Sequence, residues 1–377
     1  MLRKKLSSVM AFLMVAICLT ACEPEAEHID KSIDTSEYKY NLANIIPPEF
    51  NDVTGIELEK GTYISIIGKA KGPEFWNEVE RGVKKAAFDL NKVLGYSGED
   101  KVKVTYNAPE GSEKVGEQVN ILDEELSRYP DAIVISTVDS SACPVQFDLA
   151  TDNGIPILAM DSNNINDDVR TLISTNNVEA GKSVASKMAS EIALEGGILI
   201  ITDSVDSGSA NDRIKGIESV FESEYEGAYI AGVVNLDNLD SSREYIESVL
   251  PIGSEVVVSD MTDEDIISYF IDNNESIKGC IATGYGSTQT TISSVSKCQR
   301  PDMAVMGFDG GKMQIEALKA GTVKGLIIQN PFGIGYASVV AAARMIVGED
   351  IPDTIDTGYI WVTEENMNDE SIVPMIY

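Results

Sequence analysis

The chain has 377 residues, with 61 acidic against 29 basic side chains and a formal net charge of −32 at pH 7. That acidity excludes nucleic-acid binding, which needs cationic surface to neutralise phosphates; it describes a soluble, charged exterior and names no partner. The single histidine is His28, ahead of the regular part of the sequence, so Ser-His-Asp and Cys-His catalysis and any His-rich metal site are removed from the body.

The first segment reads MLRKKLSSVMAFLMVAICLTAC. Arg3, Lys4 and Lys5 precede an apolar run from Val9 to Leu19. A helix across a bilayer needs roughly 20 apolar residues; a shorter run behind a basic start predicts a secretory signal, residues 1–21. The run ends in Leu19-Thr20-Ala21-Cys22, which resembles a bacterial lipobox. The resemblance implies a lipidated Cys22 that holds an exported protein on the outer side of the cell membrane. Residues 22–60 are polar, acidic and without a period, with Pro47-Pro48 near their end, and read as a flexible tether. No second apolar stretch approaches spanning length.

From residue 61 apolar β-rich runs alternate with amphipathic stretches. The strand candidates are 62–68, 101–107, 131–136, 156–161 and 171–175, then 197–202, 229–234, 278–284, 303–309 and 323–329. Helical patterns occupy 74–94, 178–194, 209–223, 262–273, 285–297, 311–320 and 331–347. Over 74–94, Phe75, Val79, Val83, Ala86, Leu90 and Leu94 share one face at the 3.6-residue period. Such alternation predicts an α/β fold with parallel sheets covered by helices on both faces. About ten strands exceed one comfortable core, so two doubly wound lobes are expected. The less regular 235–260, with a strand-like run at Glu255–Val258, reads as an insertion on the second lobe.

In open parallel sheets ligands sit beyond the carboxyl ends of strands. The strand ends and nearby loops here carry Phe75 and Trp76, Asn107, Asp161, Arg213, Phe308 with Asp309, and Gln329. Aromatics suit the C–H faces of a neutral polyol, and carboxylate, guanidinium and amide groups suit its hydroxyls. Lys69 and Lys71 read as solvated residues at the mouth.

GPEFWNEVERGVKKAA, DAIVISTVDS, NGIPILAMDS, STNNVEAGKSVA, SGSANDRIKGIESVF, ATGYGST, VMGFDGGKMQIEALKAGTVKGLIIQNPFGIGY and DTGYIWVTEENMND follow one another in order. With these motifs the sequence from about residue 61 to 377 resembles the type I periplasmic binding proteins of sugar ABC transporters. The resemblance implies stacking roles for Phe75 and Trp76, hydroxyl-binding roles for Asp161, Arg213 and Asp309, and amide roles for Gln329 and Asn107. Two positions depart from the pentose-binding pattern, Ser162 where many have Arg and Gly284 where many have Asn. Both losses predict extra space and a larger or differently substituted ligand, with Tyr285 as a third aromatic surface.

The resemblance further implies a hinge crossed near residues 175, 329 and 355, a first lobe of 61–175 with 330–355, and a second of 176–329 with 356–377. It implies a monomer that closes on a monosaccharide, partnered by an ABC permease and its ATPase; no GxxxxGK[ST] motif occurs in this chain. A sensory receptor presenting a sugar or nucleoside-like molecule to a membrane kinase or chemoreceptor is the alternative. No catalytic group, cofactor or metal is expected. Cys143, Cys280 and Cys298 make neither a zinc pattern nor a disulfide framework, and a single Cys280–Cys298 bridge is left open.

Overall fold

The computed structural model describes residues 33–111, 114–223, 226–298, 300 and 302–377. The signal-like segment, Cys22 and His28 lie outside the described residues. Among the described residues no helix is long and apolar enough to cross a membrane.

Two parallel sheets organise the chain. The first contains β1 (Tyr63–Ile67), β2 (Lys103–Asn107), β3 (Ala132–Ile135), β4 (Ile157–Met160), β5 (Val169–Ser174) and β11 (Thr354–Asp356), in the order β11-β5-β4-β3-β1-β2. The second contains β6 (Gly196–Thr202), β7 (Ala228–Asn235), β8 (Ile277–Ala282), β9 (Ala304–Phe308), β10 (Gly325–Gln329) and β12 (Tyr359–Val362), in the order β12-β10-β9-β8-β6-β7. Every pairing is parallel except β10 with β12. Strand order therefore reverses beside β1 in one sheet and beside β6 in the other, the points where such sheets open a crevice. The chain passes between sheets three times, after β5, after β10 and after β11.

Both faces of each sheet are covered, so the central strands are buried throughout. In the first sheet Ile64, Ile66, Ala132 and Val134 face α2 (Glu74–Leu94) and α11 (Pro331–Ile346). Ile67, Ile133 and Ile135 face α3 (Val115–Leu126) and α4 (Pro144–Asp152). In the second sheet Ile198, Ile200, Met306 and Phe308 face α5 (Asn177–Glu191) and α6 (Gly208–Ser223). The opposite face packs on α7 (Asp240–Val249), α8 (Asp263–Asp272), α9 (Tyr285–Lys297) and α10 (Lys312–Lys319). Helices α2 and α11 cross closely because Gly335 has no side chain: a Cβ there would stand 2.0 Å from the Val79 carbonyl oxygen.

Two sequence expectations change. Residues 33–60 are not a tether. They fold into α1 (Lys39–Ala43) and short 3₁₀ turns, and they bury Leu42, Ile45, Phe50, Val53 and Ile56 in the first-lobe core. Their apolar residues follow no single period because the segment is largely irregular, so periodicity cannot announce them. Second, Glu255–Val258 forms no strand: 255–257 are irregular and Val258 opens a 3₁₀ turn, Val258–Asp260. The 235–260 stretch instead covers the sheet through Leu239, Ile246 and Val258. The Cys280–Cys298 bridge left open by the sequence does not form, and both are free thiols. Strands β11 and β12 are additions, three and four residues long, too short to show a pattern of their own.

Candidate functional site

The carboxyl ends of the two sheets face each other across a cavity of about 570 Å³. From the first sheet come Phe75 and Trp76, at the start of α2. Both are 5 % exposed, with ring centroids 5.1 Å apart and planes 83° from each other. They offer two differently oriented apolar surfaces to the cavity.

Asp161 and Asp309 occupy corresponding places, each directly after the fourth strand of its sheet. Both backbones are left-handed, with φ of +59° and +73°, a conformation that costs energy in a non-glycine residue and concentrates at functional sites. Each amide is tied to the neighbouring strand, Asp161 to the Ile173 carbonyl and Asp309 to the Ile327 carbonyl, both at 2.8 Å. The turn aims the carboxylates into the cavity. Asp161 Oδ2 accepts from Ser136 Oγ at 2.9 Å and lies 3.6 Å from Lys69 Nζ. Asp309 Oδ1 accepts from Gln329 Nε2 at 2.9 Å and from the Tyr377 hydroxyl at 3.0 Å. Burial pushes the Asp309 carboxyl above the usual carboxylate range, against the pull of Arg213 and these two donors.

Arg213 reaches the cavity from α6. Its Nε donates to Asn177 Oδ1 at 2.8 Å, its Nη1 to the Thr283 carbonyl at 2.6 Å, and its guanidinium carbon stands 4.2 Å from the Phe308 ring centroid. Arg213 Nη2 and Gln329 Oε1 are buried and have no protein partner among the described residues. One is a donor and the other an acceptor, and buried polar atoms are rarely left unpaired without reason. A hydroxyl group can serve both.

Tyr285 stands on the second lobe, and its hydroxyl donates to Glu74 Oε2 of the first at 3.1 Å. The same oxygen accepts the Lys312 backbone N–H at 2.9 Å. Burial, with Glu74 adding to it, pushes the Tyr285 phenol up to about 12. On the other flank the Ser140 amide donates to the Asp206 carbonyl at 3.0 Å. The lobes therefore touch on both sides of the cavity.

Two expected site residues lie elsewhere. Asn107 pairs in register with Ile67, whose side chain faces α3. Sharing that face, Asn107 donates to Glu125 Oε1 at 2.9 Å and stays out of the cavity. Phe308 is fully buried in the second-lobe core and supports Arg213 from behind.

Lys69 is not a solvated residue. It is 3 % exposed, and its ammonium donates to Ser162 Oγ at 2.7 Å and to Ser207 Oγ at 2.9 Å. Lys71 is only half-buried and pairs with Glu110. The space predicted at Ser162 and Gly284 is thus largely filled. Lys69 reaches Ser162, and the Asp203 carboxylate lies so near Gly284 that a Cβ there would meet Oδ2 at 2.3 Å. Asp203 Oδ2 accepts from Ser287 Oγ at 2.8 Å, at the start of α9, and burial raises its carboxyl. Lys69 comes two residues after β1 and Asp203 directly after β6, so the strand-end rule itself was the available signal. Tyr377 gave none, because its contact with Asp309 spans the fold.

A family model described as periplasmic binding protein domain matches residues 64–350. The ribose import binding protein of Bacillus subtilis is 22 % identical over 242 residues, covering 63 % of this chain and 70 % of its own. A xylitol-binding protein of Mycolicibacterium smegmatis is 22 % identical over 275 residues, covering 72 % of each. Among solved structures, a carbohydrate transporter solute-binding protein from Agrobacterium radiobacter, in complex with D-arabinose, superposes with a TM-score of 0.69 at 25 % identity. It covers 84 % of this chain and 99 % of that one.

Proposed function

The chain belongs to the periplasmic binding protein family, and from that membership we propose that it is an extracytoplasmic receptor that captures a monosaccharide between its lobes and delivers it to an ABC permease powered by its ATPase. The observation that carries this reading is the composition of one cavity, where Phe75 and Trp76 from one sheet meet Arg213, Asp309 and Gln329 from the other, with an unpaired donor and an unpaired acceptor among them. Flat rings cover the C–H face of a pyranose or furanose. Carboxylates accept from its hydroxyls and the free guanidinium nitrogen donates to them. Capture of this kind makes and breaks no covalent bond, in keeping with relatives named as binding proteins rather than enzymes.

Because ligand contacts come from both lobes, occupancy favours the closed arrangement by differential binding, and a permease that reads closure distinguishes loaded from empty receptor. The names of the relatives, for ribose and xylitol, support a small neutral polyol. A thermal-shift panel of pentoses, hexoses, xylitol, sugar acids and nucleosides tests the reading. A binder at 100 times its dissociation constant stabilises by about 2.7 kcal/mol, readily seen as a melting shift. Absence of any shift from the sugars and xylitol would overturn the sugar assignment.

Lipid attachment at Cys22 belongs to the same proposal, since it keeps the receptor beside its permease. Cys22→Ala is expected to move the protein from the membrane fraction to the soluble exported fraction; unchanged membrane retention would count against the anchor.

A further inference from the structure

Residues 33–58 lie before the family match, which begins at residue 64. They pack on the first lobe, cross the hinge and reach the second lobe. On the first lobe Leu42, Ile45, Phe50, Val53 and Ile56 share the core of α2 and α11. The Tyr38 ring stacks on Phe332 at 4.1 Å, and Arg344 Nε donates to the Glu49 carbonyl at 3.2 Å.

At the hinge the contacts fall on the crossings themselves. Ile46 and Asp356 exchange backbone hydrogen bonds of 2.8 and 2.9 Å, adding the segment to the edge of β11. Asn41 Nδ2 donates to Asn330 Oδ1 at 3.2 Å, and Asn330 Nδ2 donates back to the Asn41 carbonyl at 2.7 Å and to the Thr357 carbonyl at 2.9 Å. Asn41 is 3 % exposed and Asn330 is fully buried. One side-chain pair therefore joins this segment to the crossing after β10 and to the crossing after β11.

Beyond the hinge, Asn41 Nδ2 also stands 3.3 Å from Met375 Sδ, and Tyr40 and Lys39 face Glu370 at 3.5 and 3.7 Å. Glu370 and Met375 follow β12, in the stretch whose Met367 and Ile372 belong to the second-lobe core. Two residues after Met375, Tyr377 donates to Asp309 in the cavity.

We propose that residues 33–58 are a hinge clasp that stabilises the closed arrangement of the lobes and so raises ligand affinity. The inference deepens the capture reading and rests on it for its ligand arm. The clasp is anchored to the first lobe by apolar burial and must move with it. Its contacts to Met375 and Glu370 are then made in the closed arrangement and lost or weakened when the second lobe rotates away. A contact present in one of two states biases the equilibrium toward that state. Hinges work by absorbing backbone change at a few residues; the clasp bonds directly to two at the crossings, Asn330 and Asp356, and Asn330 in turn donates to the Thr357 carbonyl. The same tail that receives the clasp at Met375 holds Asp309 through Tyr377, so a loosened clasp also loosens that carboxylate.

The test uses the complete protein with Asn41→Ala and, separately, Glu370→Ala, which approaches the contact from the other lobe. Small-angle scattering of the unliganded protein should show a larger radius of gyration in both variants. Calorimetry with D-ribose and D-arabinose should show affinity weakened by about three- to tenfold in Asn41→Ala, the scale of a net hydrogen bond, carried by faster dissociation. Should Asn41→Ala fold poorly, the exposed Glu370→Ala variant carries the scattering comparison alone. Scattering profiles identical to the unaltered protein would overturn the clasp. If neither sugar binds the unaltered protein, the capture reading suffers, while the scattering result still decides whether the clasp exists.

Discussion

Asp309→Ala is expected to weaken sugar binding by about a hundredfold or more while the unliganded protein stays folded. The first half follows from burial. Asp309 lines the cavity at 2 % exposure, and its Oδ1 is already held by Gln329 and Tyr377. Removing one partner of a buried charged hydrogen bond costs on the order of 2–5 kcal/mol. The second half follows from the sign of its titration. Burial raises the Asp309 carboxyl in the folded protein. Its stabilising contribution is therefore complete below the unfolded carboxyl value, about 3.9, and is lost as pH rises through the elevated folded value. Burial disfavours the charged form of this carboxyl in the empty receptor, so alanine removes a group that burial penalises and does not unfold it. Isothermal calorimetry and a melting curve check both halves, and an unaltered affinity would remove Asp309 from the site. The same titration predicts that sugar affinity falls on acidification from a pH above the ordinary carboxylate range, because the protonated form accepts poorly. Tyr377→Phe removes a donor that favours ionisation, so it should move that acid limb to higher pH. A purely structural role for Tyr377 would lower stability and leave the limb in place.

What the sequence carried, and what it hid, divides along physical lines. Most of strands β1 to β10 were legible because buried parallel strands are nearly continuous apolar runs between helices, as in Ile133–Ile135 and Ile198–Ile201. Asp161 and Asp309 were legible because they follow such runs. Their left-handed backbones were not, since nothing in the residue type demands φ of +59° or +73°. Lys69 was misread because a lysine is solvated by default. Its burial depends on Ser162 and Ser207, which come from opposite lobes and meet only after folding. Asn107 failed for a reason of register: its alignment with Ile67 fixes which face it shares, and pairing is not written in either strand alone. The clasp escaped because irregular segments bury apolar residues without a period, and the surrounding acidic residues gave it the composition of a linker.

Arg213→Lys is expected to weaken binding nearly as much as Arg213→Ala, although it keeps the charge. Each part of this guanidinium has a separate place. Nε goes to Asn177, Nη1 to the Thr283 carbonyl, and the planar face lies against Phe308. Only Nη2 is left for a ligand. The fork is thus held on three sides and points its last donor without further ordering, which is the kind of preorganisation that lowers the cost of binding. An ammonium is a compact charge without a plane or a fork; it can neither stack on Phe308 nor satisfy Asn177 and Thr283 while still reaching a hydroxyl. The backbone beneath is equally fixed. A Cβ on Gly181 would stand 2.2 Å from the Arg213 carbonyl oxygen, and one on Gly216 would stand 2.2 Å from that of Val178, so α5 and α6 are pressed together at this level. A lysine there cannot recover reach by sliding its helix. Calorimetry with the sugar that gives the largest melting shift decides the matter. Binding by Arg213→Lys within about threefold of the unaltered protein, roughly the scale of a weak surface charge pair, would mean that the site uses positive charge alone, and the directed role of Nη2 would have to be abandoned.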